Sequence, residues 1–105
     1  MSYKIRINPI ATEDIKNIKE YIAEDNLDAA IKVVKDIIEK IESLSEFPEM
    51  GKMLKYKINI NSKYRYAVSG SYLNFYLFEK NIVSVQRVLH GSRDYMSIFS
   101  KDLLN

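Results

Sequence analysis

His90 is the only histidine in this chain of 105 residues. It is therefore the one side chain whose ordinary pKa lies near neutrality, the natural general acid or base. Arg65 follows Tyr64 in an alternating stretch, and a guanidinium stays ionised and grips an oxyanion through two hydrogen bonds. In Tyr64–Ser69 the apolar set is Tyr64, Tyr66 and Val68, so Arg65, Ala67 and Ser69 are expected on the opposite face of a strand. In the last apolar stretch Val83, Val85 and Leu89 form the apolar set, which puts Ser84, Gln86 and His90 on the other side. The alternation thus predicts Arg65 and His90 together on the open face of a sheet. Lys52, Lys55, Lys57 and Lys63 are interleaved with Tyr56 and Tyr64. Phosphate neutralisation with base stacking is how single-stranded RNA is commonly held, and a solvated surface has the same composition.

Other chemistries find no residues. The chain has no cysteine, so it forms no disulfide or thiolate zinc site, and a lone histidine makes a metal cage improbable. No glycine loop for a phosphate, paired-carboxylate site or activated serine stands out. Neither a metal nor a cofactor is expected.

The elements that must position these residues follow from periodicity. Tyr3–Asn8 alternates as a half-buried strand does. Asn8-Pro9 is a helix start, since Asn caps well and Pro is preorganised for the first helical position. Ala11, Ile15, Ile18 and Ile22 then form one helical stripe, ending near Glu24–Asn26. A second helix starts near Leu27 or Asp28. Its stripe is Leu27, Ala30, Ile31, Val34, Ile38 and Ile41, continuing to Leu44, with Lys35/Glu39 and Asp36/Lys40 as i,i+4 pairs on the solvated side. Phe47-Pro48 stops it, and Gly51 turns the chain. Four strands should follow, Met53–Ile60, Tyr64–Ser69, Tyr72–Phe78 and Ile82–His90, separated by Asn61-Ser62-Lys63, Gly70-Ser71 and Glu79-Lys80-Asn81. The helical hairpin is the only available cover for their apolar face. The expected fold is α+β: an N-terminal strand, an antiparallel helical hairpin on a mainly antiparallel sheet, and a short tail helix from Ser92 carrying Tyr95, Ile98, Phe99 and Leu103.

Composition sets the class. Hydrophobic residues make up 47% and charged residues 29%, the balance of a globular protein. The length suits one domain spanning 1–105. No apolar run approaches the ~20 residues of a membrane span, and the start lacks a signal-peptide core, so a cytoplasmic location is expected. The net charge of +2 hides an asymmetry: residues 1–50 hold seven Lys/Arg against eleven Asp/Glu, and residues 51–105 nine against three. One half is acidic and the other basic, as when one face meets a polyanion or an acidic partner.

Three local patterns, in this order, resemble the RelE/ParE superfamily of toxins from bacterial type II toxin–antitoxin modules. They are Ala11-x-x-Asp14-Ile15 through Tyr21-Ile22, Leu44-x-x-x-Pro48-x-x-Gly51, and Tyr64-Arg65-Tyr66 followed by Arg87-Val88-Leu89-His90-Gly91-Ser92-Arg93-Asp94. The resemblance covers nearly the whole chain. It implies a cytoplasmic growth inhibitor held in a hetero-oligomer by a cognate antitoxin, whose amphipathic segment would cover apolar tail residues such as Ile98 and Phe99.

The superfamily divides by target, and fold alone does not choose. One branch cleaves mRNA at the ribosome. There the resemblance makes Arg65 the stabiliser of charge at the scissile phosphate, with His90 and Arg93 beside it and Lys55, Lys57, Lys63 and Tyr64 on the RNA. This chain departs from that pattern. Asn59 stands where a further basic residue is usual, Gly91-Ser92 replaces a basic pair, and Tyr95 is the only tail tyrosine. The other branch poisons DNA gyrase by binding, and the Leu89-His90-Gly91 to Asp94 pattern is more typical of it. That reading is slightly favoured, with Leu89, Asp94, Tyr95, Ile98 and Phe99 as partner-binding residues. An inactive, degenerate homologue is a third reading.

Overall fold

The computed structural model describes residues 2–58 and 62–93. Strand β1 (Lys4–Ile7) leads into helices α1 (Pro9–Ala23) and α2 (Leu27–Ser43). The two-residue strand β2 (Lys52–Met53) and a helical turn α3 (Lys55–Ile58) precede strands β3 (Arg65–Ser69), β4 (Tyr72–Glu79) and β5 (Ile82–His90). The sheet order is β1-β5-β4-β3-β2, antiparallel throughout except that β1 runs parallel to β5. This is the expected α+β architecture; the tail helix falls outside the described residues. None of the described helices is long and apolar enough to cross a membrane.

Local chemistry explains the element ends. The Asn8 side chain caps α1 by accepting from the Ile10 amide at 2.9 Å, and Asn26 caps α2 through the Ala29 amide at 3.0 Å. Gly70 at φ +58° opens the β3–β4 hairpin. Lys80 and Asn81, at φ 53° and 63°, together form the primed turn that matches strand twist.

The helices bury Ala11, Ile37, Ile41 and Leu44 against Ala67, Tyr76 and the Val83, Val85 and Val88 side chains. The stripe expected on α2 holds at Ala30, Ile41 and Leu44, which are buried, but its edge is displaced: Ile37 is fully buried, whereas Leu27 and Ile31 are 56% and 51% exposed. Apolar residues wrap more than half of α2, and spacing alone does not choose the buried arc. The expected Asp36/Lys40 pair is replaced by Lys32–Asp36 at 3.0 Å, while Lys35–Glu39 is present at 3.9 Å.

The strand expected over Met53–Ile60 is corrected to β2 plus the turn α3. The Leu54 amide still donates to the Tyr64 carbonyl, but the Lys57 amide then closes a turn onto the Leu54 carbonyl. Leu54 joins Leu73, Phe75 and Leu89 in a second buried cluster, flanked by Tyr64 and Tyr66. Both faces of the sheet are therefore apolar.

One joint ties helix to sheet. Gln86 is an extra residue on β5, since Phe75 pairs with Arg87 and Tyr76 with Val85. Just past that bulge, Asp14 of α1 receives two hydrogen bonds from the Arg87 guanidinium, at 2.8 and 3.0 Å, and one from the Val88 amide at 3.0 Å. The side chains of Arg87 and Asp14 are only 21% and 11% exposed. Removing one partner of a largely buried pair strands the other charge. Asp14→Asn should lower stability by about 2 kcal/mol in urea denaturation. Lys32→Ala, which breaks an exposed pair, should change it by no more than about 0.5 kcal/mol.

Candidate functional site

The register keeps Arg65 and His90 on one side of the sheet, as expected, but that side is the one under the helices and not the open face. Arg65 pairs with Tyr76 and Ala67 with Asn74, and these lie on the helix side with the main core. Tyr66 pairs with Phe75 and belongs to the far face, as does Val68 opposite Leu73. Apolar alternation misassigned β3 because the far face also has a core to fill. On β5 the bulge shifts the phase: Val88 sits in the main core and Leu89 in the second cluster. His90, opposite Tyr72, is carried to the helix side.

Arg65 and His90 are nevertheless held apart. They flank β4 opposite Tyr76 and Tyr72. Four residues along a strand is about 13 Å, and two strand spacings add about 10 Å across. The Arg65 guanidinium turns to the β2 edge, away from β5, and donates to the Gly51 carbonyl at 2.9 Å and the Glu49 carbonyl at 3.3 Å.

That loop is clasped a second time. The Tyr76 hydroxyl donates to the Pro48 carbonyl at 2.8 Å and accepts from the Gly51 amide at 2.9 Å. A Cβ on Gly51 would lie 2.4 Å from that hydroxyl and 2.9 Å from the Tyr66 carbonyl, so this glycine is required for close approach. Burial pushes the Tyr76 phenol above its usual pKa, opposed by the Gly51 hydrogen bond and the Arg65 charge.

Two clefts divide the candidate residues. A cleft of about 400 Å³ holds His90, Ser92 and Arg93 together with Asp14, Tyr21 and Tyr72. His90 makes an edge contact with Tyr72, ring centroids 5.2 Å apart. Its Nδ1 accepts from the Ser92 amide at 3.0 Å, which leaves the proton of the neutral ring on Nε2. A base at His90 would have to break that bond. A second cleft, about 450 Å³, joins Arg65 to Lys52, Lys57 and Tyr66.

Lys57 is thus brought to Arg65, while the other candidates scatter. The Lys57 ammonium lies 5.6 Å from the Tyr66 ring centroid, and Lys63 pairs with Glu79 at 3.8 Å. Lys55 is half-buried, and Tyr64 packs against the second cluster. Leu89 is only 2% exposed, so its side chain serves packing. Asp94, Tyr95, Ile98 and Phe99 lie outside the described residues. Sequence reasoning passed over Tyr21 and Tyr72, which line the His90 cleft. An aromatic at 74% exposure, as Tyr21 is, signals such a site only once burial is known.

The clasp has measurable consequences. Arg65→Ala should cost about 1–2 kcal/mol, more than a surface substitution, because it removes charged hydrogen bonds to two loop carbonyls. Tyr76→Phe should cost about 1–3 kcal/mol, leaving a buried amide and carbonyl without partners. A phenol raised in the folded state ionises first in the unfolded chain. Stability is therefore full below about pH 10 and falls as pH rises beyond it. Tyr72, raised by burial and by Tyr21, adds to the same decline. Tyr76→Phe should make the alkaline slope of chemical denaturation shallower without abolishing it.

Comparison with known proteins is consistent with this architecture. No curated protein sequence matches the chain at a significant level. A chain from the chromosomal ParDE toxin–antitoxin system of P. aeruginosa superposes with a TM-score of 0.69 at 15% identity, covering 85% of this chain and 96% of its own. A chain of the RelBE2 toxin–antitoxin complex of Mycobacterium tuberculosis gives 0.56 at 22% identity, covering 86% and 99%. Residues 5–95 match the family of ParE toxins of the type II toxin–antitoxin system, parDE. With the match spanning most of the sequence and the fold agreeing, the chain belongs to the ParE toxin family.

Proposed function

We propose that this toxin arrests growth by binding DNA gyrase and is held inactive by a cognate antitoxin, without RNA-cleaving chemistry of its own. The observation that carries this reading is the commitment of Arg65. An arginine that stabilises a scissile phosphate must present its guanidinium to substrate. Here its Nη1 is held by the carbonyls of Glu49 and Gly51, at the β2 side of the sheet, while His90 and Arg93 line a different cleft. The engaged Nδ1 of His90 also argues against a general base at that position. The family match and the Leu89-His90-Gly91 pattern support the same reading, and the two similar structures come from toxin–antitoxin systems, which supports an antitoxin partner. The protein would act in the cytoplasm, where gyrase is.

Purified protein added in parallel to gyrase supercoiling reactions and to programmed ribosomes separates the readings. Loss of supercoiling with accumulation of cleaved DNA, and intact mRNA on the ribosome, is the expected result. Cleavage of ribosome-bound mRNA that falls by two to three orders of magnitude in folded Arg65→Ala would establish the nuclease reading instead. Activity in neither reaction would mark a degenerate toxin. Coexpression with the adjacent reading frame should raise yield and relieve toxicity.

A further inference from the structure

The loop after α2 leaves two large apolar side chains well exposed, one of them, Met50, accepting a hydrogen bond from the Ser43 hydroxyl at 3.6 Å. Phe47 is 61% exposed and Met50 44% exposed, either side of buried Pro48. Together with Tyr3 and Phe78, whose rings meet edge to face at 5.1 Å, they wall a cleft of about 360 Å³ rimmed by Glu46 and Glu49. A second cleft continues from Glu46 along Glu39, Glu42 and Ile5. No lysine or arginine lines either cleft. Glu39 pairs loosely with Lys35, while Glu42, Glu46 and Glu49 make no ion pair among the described residues.

The loop backbone is also fixed in advance. Tyr76 and Arg65 hold it at Pro48, Glu49 and Gly51, and the Tyr3 amide donates to the Ser45 carbonyl at 2.7 Å. Large apolar anchors on an already ordered backbone bind at little further entropic cost, and such anchors dominate interfaces. We infer that this loop is a docking surface for a basic amphipathic helix of another protein. One apolar side chain of that helix would fill the cleft between Phe47 and Met50. Lysines or arginines one turn to either side would meet Glu46 and Glu49, with Glu42 further along. The charge of the clefts selects a cationic partner, and the inference does not depend on the gyrase reading.

The test uses the full chain and a fluorescein-labelled helical peptide of Leu and Lys at amphipathic spacing, read by fluorescence anisotropy. The comparison probe is the same peptide with Glu in place of Lys. The Lys peptide should bind and the Glu peptide should not. Combined Phe47→Ser and Met50→Ser, at exposed positions, should weaken binding about tenfold or more. Glu46→Gln with Glu49→Gln should weaken it and flatten its salt dependence. Glu20→Gln with Glu24→Gln, exposed charges on α1 and at its C-terminal cap, should leave it unchanged. Equal binding by the serine variant overturns the inference, as does an equal loss from the α1 pair, which would mean diffuse charge attraction. Sedimentation that shows a dimer dissolved by the serine changes would also overturn it, making the occupant a second copy.

Discussion

The Asp14 carboxylate gathers three hydrogen bonds at the point where β5 bulges, two from Arg87 and one from the Val88 amide. Parallel pairing with β1 ends at Val85, so beyond it the backbone edge of β5 needs another partner. Asp14 supplies one, and it fixes α1 over the strand at the same time. The extra residue at Gln86 resets which side chains face the helices. Val88 enters the core, Leu89 is sent to the second cluster, and His90 is delivered to the cleft it shares with Tyr21 and Tyr72. Where the last strand presents its polar end thus depends on one helix carboxylate.

The opposite end of the sheet follows a similar economy. Tyr76 is fully buried, yet its hydroxyl is satisfied on both sides by the loop leaving α2. Gly51 lets that loop approach, and Arg65 ties down the neighbouring carbonyls. Asp14, Arg65 and Arg87 are charged groups of the kind that invite a catalytic interpretation. Here they satisfy backbone groups and each other. Large side chains left exposed among the described residues include Tyr21, Phe47 and Met50, types suited to binding.

Much of this was legible in the residues. The caps at Asn8, the α1 stripe, the hairpin turns and the limits of β5 follow from local periodicity and turn chemistry. So did the resemblance, whose first pattern includes Asp14 without revealing that its partner is Arg87. The faces were not legible. Alternation identifies a strand but assigns its sides only when one face is polar, and this sheet buries apolar clusters on both. Tyr64, Tyr66 and Val68 therefore pointed equally well to either. The bulge carried no glycine to announce it, and α2 is apolar around too much of its circumference to show that Ile37 is buried while Ile31 is exposed. The turn Lys55–Ile58 read as strand because its residue types suit both.

The central claim is that Arg65 supports the fold and takes no part in chemistry. The most direct measurement is toxin activity plotted against folded fraction for Arg65→Ala, Tyr76→Phe and Asp14→Asn, each assayed for growth arrest over a range of temperatures. The account predicts that all three variants fall on one curve, because each loses function only as it loses native structure. Arg65→Ala lying about a hundredfold or more below the curve set by the other two, at equal folded fraction, would contradict it, since a loss of that size marks a missing transition-state contact.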